Sequence, residues 1–389
     1  MISFRLDDEH EALRTTVMDF ARDVVAPVIG DFYERNEFPY EIVASMGKLG
    51  LFGLPFPEAY GGMGGDHFAL CLALHELARV DSSVAITLEA GVALGAMPIY
   101  LYGNEEQRSH WLPELCGGER LAAFGLTEPG GGSDIPGGMR TTAVRDGDEW
   151  VINGRKVWSS NAQQADRVLI LTRTTPVAQV AKRSQGLSLF FAPMDRSAIT
   201  IKLIDKMGRH AVDSNELFID NLRVPHADLV GQEGEGFSHI IAGLNPERIV
   251  IAAEAVGIGK AALDRAVQYA KERVVFGRPI GQNQGIQFPL AEAYARLEAA
   301  DLMAFKAAWL YDQGLPCGKE ANIAKLLAAE AGCNAVDHAV QTFGGFGYAR
   351  EFDVERLYRE IRLYKIAPVS QQMALNYIGE HVLGMPRSY

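Results

Sequence analysis

Leu126-Thr127-Glu128-Pro129-Gly130-Gly131-Gly132-Ser133-Asp134, followed by Lys156-Val157-Trp158-Ser159-Ser160-Asn161, marks the place where the texture of the chain changes. Before it, residues 7 to about 118 read as helices. Leu13, Val17, Phe20, Ala21, Val24 and Val25 recur at helical spacing, and a second such run covers Phe68 to Val80. Pro55, Pro57 and the cluster Gly61-Gly62-Met63-Gly64-Gly65 place a loop between the two runs. Around and after the opening stretch, Val144 to Trp158 alternates. Asn153-Gly154 within it is a hairpin signal, because both residue types tolerate positive φ. Val168 to Thr172, Leu187 to Phe191 and Glu216 to Ile219 read as further strands of a small β domain. From about 235 the helical period returns in three long segments, roughly 246–272, 286–313 and 318–342, which suggest an antiparallel bundle. The units expected are 1–118, 119–232 and 233–389.

A chain of 389 residues is long enough for two or three units sharing a core. With a net charge of −12 and no block of Lys or Arg, neither nucleic acid nor a basic membrane-surface contact is expected as a partner. Cys71, Cys116, Cys317 and Cys333 are scattered, with no CxxC pair and no metal-ligand spacing. They read as reduced thiols, with no metal site. The N-terminus, Met1 to Glu9, lacks an apolar core and turns acidic at once, unlike a secretory or transit leader. No apolar run approaches the roughly 20 residues of a membrane span. The expectation is a cytoplasmic protein.

A third motif, Gln341-Thr342-Phe343-Gly344-Gly345-Phe346-Gly347-Tyr348, joins the first two. Together they resemble the acyl-CoA dehydrogenases, flavoenzymes that remove two hydrogens from an acyl-CoA thioester. The resemblance spans nearly the whole chain. It implies an α+β fold with an N-terminal helical domain, a middle β-barrel-like domain and a C-terminal four-helix bundle. It also implies FAD as cofactor, an acyl-CoA as substrate, an electron-transferring flavoprotein as acceptor, and a homo-oligomer, most simply a tetramer.

Several residues acquire roles through that resemblance. The glycine-rich turn lets backbone amides approach a flat ligand or a phosphate. The resemblance lays Phe124, Leu126 and Thr127 along the isoalloxazine and Ser133 at the pantetheine or phosphate end of the thioester. It packs Trp158 on the flavin and sets Ser160, where the family usually has Thr, as a hydroxyl donor near N5. Arg273 and Phe276, with Gln284, Gln341 and Gly345, would reach the diphosphate and adenine of a neighbouring subunit's FAD, and Ser370 is a further cofactor contact. A guanidinium suits a diphosphate through its fork of donors. Gly257-Ile258-Gly259-Lys260-Ala261-Ala262 matches a loose dinucleotide pattern but sits inside a helical period with no preceding strand, so it carries no such role.

The expected base is the difficulty. Most of the family places a Glu in a Tyr-Glu-Gly-Thr run, and the gapless equivalent here is Ala367-Pro368-Val369-Ser370. A proline cannot take a proton. Asn245-Pro246-Glu247-Arg248-Ile249 reads as a helix start, with Asn245 at the N-cap and Pro246 at N1, which puts Glu247 in the first turn. A minority of the family, including isovaleryl-CoA and long-chain dehydrogenases, resembles this chain in carrying a Glu-Arg pair there, 26 residues before the position of Arg273. Glu247 is therefore the expected catalytic base, and Arg248 a contact for the CoA portion. Removing a Cα proton while hydride leaves the β-carbon demands a desolvated carboxylate with a raised pKa. The same arrangement favours branched or medium-to-long acyl chains. Two other readings of the motifs stay open at this point: a flavin-dependent oxidase or monooxygenase, and a non-catalytic flavin-binding protein.

Overall fold

The computed structural model describes residues 5–388. Met1 to Phe4, the start of the N-terminus read above, and Tyr389 lie outside the described residues. Seven helices come first: α1 Asp8–Phe20, α2 Ile29–Arg35, α3 Tyr40–Lys48, α4 His67–Ala78, α5 Ser82–Glu89, α6 Met97–Tyr102 and α7 Glu105–Cys116. Their starts follow capping chemistry. The Asp66 carboxylate accepts from the Ala69 amide at 2.7 Å to open α4, and that of Asp81 accepts from Ser83 and Val84 to open α5. Helix α5 runs through a π-helical segment, Ala90–Ala96, into α6.

That composite helix corrects one expectation. Ser82–Tyr102, 21 residues, is long and apolar enough to cross a membrane by length and composition, with mean hydropathy 1.7 in its richest window. Glu89 and Pro98 interrupt the apolar run, so the sequence shows no unbroken stretch of that length. Of that window 83% is buried inside the fold, the behaviour of a core helix.

The middle unit is one sheet of eight strands. These are β1 Ala122–Gly125, β2 Thr142–Asp146, β3 Glu149–Ser160, β4 Arg167–Arg173, β5 Leu187–Pro193, β6 Ile199–Leu203, β7 Ser214–Pro225 and β8 Leu229–Val230. The order is β6-β7-β3-β2-β4-β5-β8, with β1 parallel to β4. Strands β4 and β5 read as unbroken apolar runs because both their faces are covered. Val168, Ile170, Phe190 and Ala192 enter a core inside the β unit, while Leu169, Leu171, Leu189 and Phe191 join the main core shared with the helices. The short helix α8, Ile135–Gly138, follows the glycine turn.

The hairpin expected at Asn153-Gly154 lies elsewhere. The chain reverses at Gly147-Asp148, where Gly147 has φ +62°, and Asp146 pairs with Glu149. Asp146-Gly147 carries a turn signal of the same class as Asn153-Gly154. Asn153 and Gly154 sit inside β3 at a register slip against β7. A Cβ on Gly154 would lie 2.3 Å from Thr141 Oγ1, so this glycine serves close strand approach.

The C-terminal unit is built on α9 Gly236–Glu272, α10 Gln284–Asp312 and α11 Gly318–Phe343, with α12 Val354–Ile361 and α13 Gln371–Tyr377 closing it. Helix α9 does not begin at Asn245. It has run for ten residues by then, and Pro246 lies buried inside it. Phe237, Ile240, Ile241 and Leu244 continue its apolar period upstream, a signal the capping argument overrode. The glycines of the discarded dinucleotide pattern are packing sites. A Cβ on Gly257 would lie 2.3 Å from the His75 carbonyl oxygen on α4, and one on Gly259 would lie 3.0 Å from Gly332 Cα on α11. Gly257→Ala is expected to destabilise the protein by about 1–3 kcal/mol through overpacking, seen as a lower midpoint in urea.

Candidate active site

The glycine turn is held from below by a buried ion pair. Lys156 Nζ donates to Glu128 Oε1 at 2.8 Å, with both side chains almost wholly buried. Glu128 also accepts from the Arg140 amide at 2.6 Å and the Thr141 amide at 3.0 Å. Burial pulls Lys156 down to about 8 against the opposing pull of Glu128. Burial would raise Glu128, but Lys156 and Thr141 outweigh it and hold the carboxyl below its usual range. Neither residue's role is legible in the sequence, since an acid and a lysine 28 apart show no local pattern. Gly131 packs on Gly138 so closely that its Cβ would lie 2.9 Å from Gly138 Cα. Gly132 and Ser133 face open space instead, so only part of the turn is free for a ligand.

Above this pair the expected flavin residues gather. Thr127 follows β1, and its carbonyl accepts from the Val157 amide at 2.9 Å, which seats it beside β3. Phe124 and Leu126 are half-buried on and after β1. Trp158 stands 58% exposed with φ +64°, a conformation unusual for a bulky residue. Ser160, half-buried, ends β3. Next to it the Ser159 hydroxyl and both amide atoms of Asn161 are buried without a partner. An exposed indole beside unsatisfied polar groups fits a flat, polar ring system such as FAD.

A second group lies at the far end of α9. Arg273 follows that helix and lies over the Phe346 ring at 5.6 Å. A cavity of about 570 Å³ is lined by Arg273, Phe343, Gly345 and Phe346, among others. Gln341 closes α11 and Gln284 opens α10, both exposed and neither lining that cavity. Phe276, 99% exposed at φ +52°, sits at the tip of the two-stranded turn formed by β9 Val274–Val275 and β10 Arg278–Pro279. Ser370 is the N-cap of α13, its hydroxyl accepting from the Met373 amide at 3.3 Å. Pro368 is exposed in the turn before it.

Glu247 belongs to neither group. It sits mid-helix in α9, 3% exposed, with Oε2 lacking any partner. The first-turn position expected for it is therefore not found. Burial raises its carboxyl to about 8, with Glu254 adding to the rise and Arg248 and Lys325 opposing it. Its place is set from α4. The fully buried His67, pushed down to about 4 by desolvation and therefore neutral, donates from Nε2 to the Pro246 carbonyl at 2.9 Å. The amides of His67 and Phe68 are held in turn by Asp312 at 2.9 Å each. These positioning residues were invisible in sequence, since they lie about 180 and 245 positions apart. Arg248 donates to Asn245 Oδ1 at 2.9 Å, and its Nε is unpartnered.

Comparison with known proteins places this geometry among flavoenzymes. The family models for the acyl-CoA dehydrogenase N-terminal, middle and C-terminal domains match residues 7–119, 123–222 and 234–383. An acyl-CoA dehydrogenase of Bacillus subtilis is 41% identical over 377 residues, 97% of this chain and 98% of that protein. Butyryl-CoA dehydrogenase from Megasphaera elsdenii superimposes with a TM-score of 0.94 at 35% identity, covering 98% of this chain and 100% of the other. A chain from a structure of the electron transferring flavoprotein of Acidaminococcus fermentans does so with a TM-score of 0.95 at 35% identity, with the same coverage.

Proposed function

The chain belongs to the acyl-CoA dehydrogenase family of FAD-dependent oxidoreductases, and from that premise we propose that Glu247 is the base for α,β-dehydrogenation of a branched or medium-to-long acyl-CoA. The observation that carries this is a buried carboxyl with one oxygen unpartnered and its pKa raised to about 8, in a chain whose usual base position is the exposed Pro368. Phe124, Leu126, Thr127, Trp158 and Ser160 would hold the flavin ring. Arg273, Phe276, Gln284, Gln341 and Gly345 would reach the diphosphate end of a neighbouring subunit's FAD, with Ser370 a further contact, so the enzyme works as a homo-oligomer. When bound, FAD supplies the acceptor for the hydride that leaves the β-carbon. Glu247 takes the Cα proton, and Ser133 and Arg248 hold the CoA portion against the turn and α9. Electrons then pass to an electron-transferring flavoprotein. The structural likeness to a chain from such a flavoprotein's structure supports that partner.

Mixing the holoenzyme anaerobically with straight and branched acyl-CoAs tests the reading. Bleaching of the flavin absorbance by one class is the expected result, and no bleaching by any would overturn it. The pH dependence has a fixed sign. Glu247 acts only when deprotonated, and its pKa stands near 8. The kcat/KM for reduction should therefore fall about tenfold per unit below pH 8 and level off above it. Folding stability runs the opposite way. Glu247 and Glu254 hold protons up to about 8 and about 7, against 4.5 for an ordinary glutamate. The stability they confer is complete below about 4.5 and is lost as pH rises through 7 to 8.

A further inference from the structure

On one side of Glu247 the buried wall is acidic. Glu89 closes α5 where the π-helical segment begins, and this composite helix packs against α9. Its side chain is 1% exposed, and neither carboxyl oxygen has a hydrogen-bond partner. Glu254 lies seven residues beyond Glu247 on α9, two helical turns or about 10 Å along the same face. One of its oxygens accepts from Tyr364 Oη at 2.6 Å and from Arg209 Nη2 at 3.5 Å; the other is unpartnered. Arg209 lies over the Tyr364 ring at 5.0 Å and is the one cation acting on Glu89. Arg248 and Lys325 act on Glu247 instead. Glu89 and Glu254 thus share one cation on this side, and across the three acids four carboxyl oxygens are left over: both of Glu89 and one each of Glu247 and Glu254.

Buried polar groups in folded proteins are almost always paired. A plain hydrocarbon chain laid on this wall would leave Glu89 unsatisfied, at a cost that Leu or Ala would avoid. A donor on the ligand satisfies it. Resting on Glu247 as the base, we propose that the substrate is a medium-length acyl-CoA whose acyl group carries a hydrogen-bond donor, a hydroxyl or an amine, received by Glu89 and the unshared oxygen of Glu254. Desolvation, with Glu247 and Glu254 nearby, also holds Glu89 well above the usual carboxylate range. It therefore meets a hydroxyl as a neutral acceptor and gives up its proton when an ammonium takes its place.

The test separates this pocket from the chemistry. Calorimetry on the Glu247→Gln holoenzyme would compare octanoyl-CoA with 8-hydroxyoctanoyl-CoA and 8-aminooctanoyl-CoA. Binding needs no proton removal, so the outcome does not depend on Glu247 being the base. At least one donor-bearing chain should bind about tenfold tighter than octanoyl-CoA, the worth of one buried hydrogen bond. The preference should invert when Glu89→Leu is added, and Glu89→Gln, closer in shape, should keep the hydroxyl arm while losing the amine arm. Tightest binding of octanoyl-CoA to the Glu89-containing protein, or a preference unmoved by both substitutions, would overturn the proposal. Failure of the base reading shows separately, as full flavin bleaching by acyl-CoA in Glu247→Gln.

Discussion

Glu247→Gln is expected to purify with its full complement of FAD and to reduce that flavin with acyl-CoA about 10²–10⁴-fold more slowly, the usual contribution of a positioned general base. The substitution is nearly isosteric, and the carboxyl makes no hydrogen bond through Oε2 that the amide would break. Burial already keeps the side chain largely protonated near neutrality, so the neutral amide suits its surroundings. Rapid mixing under anaerobic conditions reads the loss directly as the rate of bleaching. Bleaching at the unmodified rate would remove Glu247 from the reaction. Glu254, a second buried acid on α9, is committed to Tyr364 and Arg209 through one oxygen, which makes Glu254→Gln a useful companion. It should leave the bleaching rate far closer to normal than Glu247→Gln does.

Lys156→Met should cost about 3–5 kcal/mol, because it strands the Glu128 carboxylate in a buried site. The two amides of Arg140 and Thr141 still hold that carboxylate, but its charge is then unopposed. The damage falls on the turn from Glu128 to Asp134 and on the carbonyl of Leu126, which Lys156 also approaches at 3.4 Å. Loss of FAD on gel filtration should accompany the fall in thermal midpoint. Adding Glu128→Gln should recover a large part of both losses, since the stranded charge goes with it. A double variant no better than the single one would show that the lysine acts by packing alone.

Much of this architecture was legible because it is written in period and punctuation. The helical runs, the strands at 168–172 and 187–191 and the α, β, α order all rest on local spacing, and each appears in the fold. Two of the errors share one cause: a local signal outvoted by distant contacts. Asn245-Pro246 looked like a helix start, yet α9 continues through it, with the Pro246 carbonyl engaged by His67. Asn153-Gly154 looked like a turn, but Thr141, just ahead of β2, packs against the glycine. At the candidate site, the proposed roles of Glu247, Trp158 and Ser160 come from motifs. Those of His67, Glu89 and Glu128 do not, because their meaning comes from burial and from partners on other elements.

Helix α9 is packed so tightly at Gly257 and Gly259 that it behaves as a fixed mount for Glu247. A mounted base cannot follow a new substrate, so variation has to act on what faces it. On the proposed reading, change at Glu89, Arg209 or Tyr364, none of them on α9, would retune what is admitted while the reacting group stays in place. In evolutionary terms the proposed roles would let the rigid helix preserve the reaction while the composite helix that packs on it is where new substrates are won or lost.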